Sequence, residues 1–155
     1  MSGEESHTEY FTELSRVHEM SIGDSVDFIA ILRGLTKYVD NEFYGMMRIH
    51  HLTSTHPSVL RKRQYNPNSR DELERRIVVF AEQYPQYPDV VKLTQQGLEI
   101  AQRIVESVRE LSNGEEPEQF YNDNYKSVKD FIVGIQQASH EISSWYIQTA
   151  MARTN

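Results

Sequence analysis

Apolar residues recur at steps of three and four along most of this chain, the spacing that lines side chains up on one face of a helix. The rhythm is strongest toward the C-terminus. From Pro117 to about Ala152, the positions Tyr121, Tyr125, Val128, Ile132, Ile135, Ser139, Ile142, Tyr146 and Thr149 keep that spacing, and Phe131, Ala138 and Trp145 widen the stripe every seven residues. Upstream, Val90, Thr94, Gly97, Ala101, Ile104, Val108 and Leu111 alternate steps of four and three, which is the seam of a bundle helix. Gly97 and Ala101 predict a close neighbour on that seam, and Ser112-Asn113-Gly114 supplies its stop.

A third long run, from about Asp24 to Ser54, carries Phe28, Leu32, Leu35, Val39, Phe43, Met46 and Ile49 on one stripe. Ile31, Tyr38, Tyr44 and Met47 broaden it, so this helix is expected to meet several neighbours. Two shorter helices complete the reading. Ser6 with Glu9 forms a capping box for one that ends near Met20, and Ser69 with Glu72 forms another ahead of Leu73, Ile77, Phe80 and Tyr84. Tyr84-Pro85-Gln86-Tyr87-Pro88 is a stiff hinge, with Pro88 suited to the first turn of the next helix, where its missing amide costs nothing.

Between the second and third helices, Thr53 to Pro57 closes one element, Val59 and Leu60 sit in a short turn, and residues 61 to 69 read as a basic loop. Period-two alternation of β-branched residues never persists, so no strand is expected. The fold class that follows is all-α. It is a single helical bundle of four to five helices over residues 1–155, with an acidic N-terminal helix or arm at 1–23 and a bundle core at 24–152.

Composition narrows the chemistry more than it refines the fold. With 155 residues the chain is long enough to bury about 70% of its unfolded surface. It contains no cysteine, which removes disulfides, thiolate metal sites and a catalytic thiol together. No run approaches the roughly 18 apolar residues of a membrane span, and the glutamates of the N-terminus are unlike a signal peptide. The expected setting is cytoplasmic or otherwise intracellular, without a membrane partner.

The net charge of −7 is unevenly spread. Residues 1–27 hold seven acids against Arg16, a net of −6, whereas residues 48–76 hold seven basic residues against three acids, a net of +4. Arg61, Lys62, Arg63, Arg75 and Arg76 are therefore candidate phosphate contacts, with Tyr65 placed to stack on a base. The same charges also suit an acidic protein surface.

Catalytic signatures are missing from the sequence. There is no Gly-x-Ser-x-Gly elbow, no His-Glu-x-x-His and no phosphate loop. None of the six histidines has a second histidine four residues away, and Glu4 with His7 is the one Glu-x-x-His match. Glu9 with Glu13, and Glu106 with Glu110, share helical faces where solvated carboxylates are expected. No cofactor, metal site or catalytic residue is assigned.

Tyrosine, tryptophan and methionine are enriched at interfaces, and Tyr38, Tyr44, Met47, Trp145 and Tyr146 stand out as candidate anchors for a partner. The expected function is that of a non-enzymatic structural or adaptor subunit acting through protein association, self-assembly in the first place. The alternative is a nucleic-acid-binding packaging or coat-type protein that holds phosphates with segment 61–76.

Overall fold

The apolar rhythm translates directly into buried faces. Residues 3–49, 65–112 and 117–154 are described by the structure, a computed structural model, with side chains described for 7–46, 65–109 and 126–153. Among the described residues the elements are five helices and no strand: α1 (Gly3–Ser15), α2 (Ile22–Ile49), α3 (Ser69–Gln83), α4 (Pro88–Ser112) and α5 (Pro117–Thr154). The all-α bundle expected from periodicity is what forms. The expected end of the second helix at Ser54, the turn at Val59 and Leu60, and residues 61–64 of the basic loop lie outside the described residues.

Three long helices, α2, α4 and α5, pack against one another, and two short ones fill the grooves between them. Helix α3 lies on α2 and α4, while α1 lies on α5 and α4. Directions follow from pairs of contacts. Tyr87 meets Asp24 and Arg109 meets Glu42, so α4 runs parallel to α2; α3 carries the chain back between them. The Met20 amide donates to the Tyr146 hydroxyl at 2.9 Å, which places the end of α5 beside the start of α2.

One cluster of buried side chains runs through all five helices, with Leu14, Phe28, Leu32, Leu35, Phe80, Val90, Ile135 and Ile142 essentially inaccessible. Each such side chain stabilises the fold by roughly 1.5–3 kcal/mol relative to exposure. The stripe of α2 is wide because α3, α4 and α5 all cover it.

Four glycines within helices set how closely their neighbours approach. A β-carbon at Gly97 would meet the Tyr10 hydroxyl and lie 2.7 Å from Leu35 Cδ1. At Gly45 it would lie 2.6 Å from the Tyr65 ring, at Gly134 it would enter the Phe11 ring, and at Gly34 it would lie 3.0 Å from Leu73 Cδ1. In each case a large side chain is seated in the recess that the missing β-carbon leaves. The close neighbour expected at Gly97 is thus Tyr10, whose hydroxyl donates to the Leu93 carbonyl at 3.1 Å.

Helix ends differ from the sequence reading in instructive ways. Helix α1 stops at Ser15, not near Met20, because the amides of Arg16 and Val17 turn back to the carbonyls of Glu13 and Leu14. Val17 and Met20 are buried from that turn without being helical. Helix α2 begins two residues before Asp24, capped by Ser21, whose hydroxyl oxygen accepts from the Asp24 amide at 3.1 Å. Ser69 is the first residue of α3 rather than its cap; Asn68 holds the cap position without a side-chain bond. The capping box fails there because Ser69 Oγ accepts from Asn41 and the Glu72 carboxylate accepts from the Asn66 side chain.

The hinge between α3 and α4 is tied to the start of α2 by its two tyrosines. The Tyr87 hydroxyl donates to Asp24 at 2.9 Å, and the Tyr84 hydroxyl donates to Asp27. That bond to Asp27 is the main cause of a Tyr84 pKa pushed up to about 12.

Candidate functional site

Of the five aromatic and methionine anchors expected at an interface, three are turned inward. Tyr38, Tyr44 and Tyr146 are 3%, 5% and 6% exposed, so they have no surface to present to a partner. The reason lies in the width of the α2 stripe and the length of α5, which are used up by other helices of the same chain. Trp145 is half-buried and stacks on His18, ring centroids 4.1 Å apart. The Met47 side chain lies outside the described residues, as do Arg61, Lys62 and Arg63.

Arg75 and Arg76 are exposed on α3 and border a groove between α2 and α3 made of two adjoining parts. Its wider part, about 760 Å³, has Ala30 and Ile31 of α2 and Val79 and Phe80 of α3 as an apolar floor, with Arg75 and Arg76 on the rim. The narrower part, about 260 Å³, continues past Gly34 and Lys37 to Asn41, Asn66 and Ser69. Glu72 and Arg76 line both parts. From Asp27 to Asn41 the groove follows α2 for about 21 Å at the standard helical rise.

The charged side chains lining the groove are Lys37, Arg75 and Arg76 against Asp27 and Glu72. Its two carboxylates already accept hydrogen bonds, Asp27 from the Tyr84 hydroxyl and Glu72 from Asn66 Nδ2 at 3.1 Å. Lys37, Arg75 and Arg76 make no ion pair among the described residues. Arg70, next on α3, is paired with Glu74 at 3.1 Å.

The closed end is built by Asn41. Its Oδ1 accepts from the Asn66 amide at 2.9 Å, while Nδ2 donates to the Asn66 carbonyl at 2.9 Å and to Ser69 Oγ at 3.0 Å. This side chain thereby pairs with both backbone groups of Asn66 and fixes where α3 begins against α2.

Behind it, the Glu42 carboxylate is buried and takes a hydrogen bond from the half-exposed Arg109 guanidinium of α4. Tyr38 packs beside this pair, and burial, with Glu42 adding to it, pushes its pKa up to about 12. Burial first, and then Glu42, likewise raises Tyr65.

Sequence reasoning found Arg75 and Arg76 but missed Lys37, Asn41 and Val79. Those three share a groove only because α2 and α3 are antiparallel in one particular register, and no local motif records that register. The carboxylate pairs give nothing further: Glu9, Glu13 and Glu106 are exposed, and no group of three His, Asp or Glu side chains converges among the described residues. No described helix is long and apolar enough to cross a membrane. Comparison with protein-family models, with curated proteins and with solved structures finds no match to this chain.

Proposed function

We propose that this protein acts by association, as a self-assembling structural or adaptor subunit rather than as a catalyst. The observation that carries the reading is where its exposed apolar side chains lie. Ile22 and Val26 begin α2, Val78 and Val79 lie toward the end of α3, and Ile147 and Met151 lie on the last turns of α5. All six belong to the same end of the bundle, and Val133 is the one other exposed large apolar side chain among the described residues.

Scattered apolar exposure needs no explanation, whereas its concentration at one end supports a contact surface there. Helix α5 supports this further. It runs eight residues past Tyr146, the residue that meets the chain just ahead of α2, so about 12 Å of helix lies beyond that contact, with Ile147 56% and Met151 61% exposed on it.

The test is the mass in solution. Light scattering at micromolar concentration should give more than the 18.1 kDa of one chain. The triple variant Val26→Ser, Ile147→Ser, Met151→Ser should return it to that value with its helical circular dichroism unchanged. A wild-type monomer at those concentrations overturns self-assembly.

A second reading, nucleic-acid binding, is favoured by one observation: adjacent exposed Arg75 and Arg76 without carboxylate partners among the described residues. It predicts retention on heparin and an affinity that falls steeply with salt. A gel-shift series without retardation at low salt removes it.

A further inference from the structure

We infer that the groove between α2 and α3 receives an amphipathic helix of another protein, acidic on its flanks and apolar on the face it inserts. The inference shares with the association reading the idea of a protein partner and one residue, Val79, which lines the groove and also belongs to the apolar end of the bundle; Lys37, Arg75 and Arg76 belong to the groove alone.

Three features of the groove specify the occupant. Its length along α2, about 21 Å, accommodates about four turns of helix. Its floor is made of Ala30, Ile31, Val79 and Phe80, so it rewards apolar side chains at three- and four-residue spacing, the pattern of helix-in-groove recognition. Its rim offers Lys37, Arg75 and Arg76 without ion pairs among the described residues, while Asp27 and Glu72 are each occupied by a hydrogen-bond donor of this chain.

An acidic partner would gain three cations against two carboxylates, each of which already accepts a hydrogen bond within this chain. A basic partner would meet the reverse. The Arg76 guanidinium lies 4.0 Å from where a β-carbon at position 34 would be, and Arg76 lines both parts of the groove. It is therefore the cation best placed to meet a carboxylate from either half of the occupant. A nucleic acid would use the same cations, but its phosphates leave the apolar floor uncovered.

The experiment uses the full chain and a fluorescein-labelled peptide of about sixteen residues, built of leucine and glutamate with the leucines on one helical face. Anisotropy should report saturable binding that weakens as salt rises. Arg76→Glu and Val79→Glu, both at exposed positions, should each weaken it at least tenfold at low salt while circular dichroism stays unchanged. The triple variant at the bundle end should bind as the wild type does, so loss of self-assembly and loss of groove binding are read separately.

Three outcomes overturn the inference: equal binding of a leucine–lysine peptide with the same apolar face, indifference to both groove substitutions, or displacement of the acidic peptide by an equimolar single-stranded oligonucleotide.

Discussion

Replacing Gly97 with alanine sets two effects of opposite sign against each other, and the structure decides between them. Alanine is favoured over glycine inside a helix by about 0.8–1 kcal/mol, so helix propensity alone predicts a more stable protein. The added β-carbon, however, would collide with the Tyr10 hydroxyl and lie 2.7 Å from Leu35 Cδ1 and 3.2 Å from Tyr10 Cζ. Those atoms belong to two different helices, α1 and α2, so no single rotamer change relieves both. Overpacking of this kind costs typically 1–3 kcal/mol per site, and with two neighbours the upper part of that range applies.

The net expectation is destabilisation by about 2 kcal/mol, or a melting midpoint lower by roughly 4–8 °C for a chain of this size. Gly23, which has nothing within 4 Å of its β-carbon position, provides the control, and Gly23→Ala should be neutral or stabilising by less than about 1 kcal/mol. Urea denaturation followed by circular dichroism measures both. Adding Tyr10→Phe should recover part of the Gly97→Ala loss by removing the atom in collision, a positive coupling in a double-mutant cycle. A Gly97→Ala protein as stable as the wild type would refute the seating of Tyr10 in that recess.

Asn41→Ala should cost about 1–2 kcal/mol, because it unpairs the half-buried backbone N–H and C=O of Asn66 and loosens the start of α3; hydrogen exchange should rise there before it rises in α5. Arg109→Met should destabilise by about 1–3 kcal/mol by leaving the Glu42 carboxylate buried without its cation, a loss visible in the urea midpoint. Stability should also fall in alkali. Tyr38 titrates at about 12 in the fold against about 10 in the unfolded chain, and burial raises Tyr10 and Tyr146 as well. The folded state thus holds these protons more tightly, so their contribution is complete below pH 10 and is lost as pH climbs through about 12. A urea midpoint unchanged between pH 9 and pH 11.5 would contradict that burial.

The fold was legible because helical periodicity is a local property that tertiary packing here reinforces. Val90, Ala101, Ile104 and Val108 on α4, and Val128, Ile135 and Ile142 on α5, are buried in the rhythm the sequence displays. Helix ends were less legible, since Ser69 had a capping partner in Glu72 but was claimed by Asn41, a residue 28 positions away. Three of the five expected interface anchors are turned inward for a related reason. An abundance of tyrosine cannot distinguish a helix covered by a partner from one covered by its own chain, and Tyr38, Tyr44 and Tyr146 are of the second kind. The groove was invisible because it depends on Lys37 and Arg76 lining one recess from two different helices, a relation that appears only once the register is known.

The stack of His18 on Trp145, with ring planes nearly parallel at 7°, gives the molecule a built-in optical gauge. Trp145 is the sole indole of the chain, and its face rests on the link that joins α1 to the rest. Its emission therefore senses whether the N-terminal helix is seated, while ellipticity averages over every turn. If the two signals lose their native values at different urea concentrations, with fluorescence changing first, α1 is a separately opening unit, and the bundle behind it is what persists when it leaves.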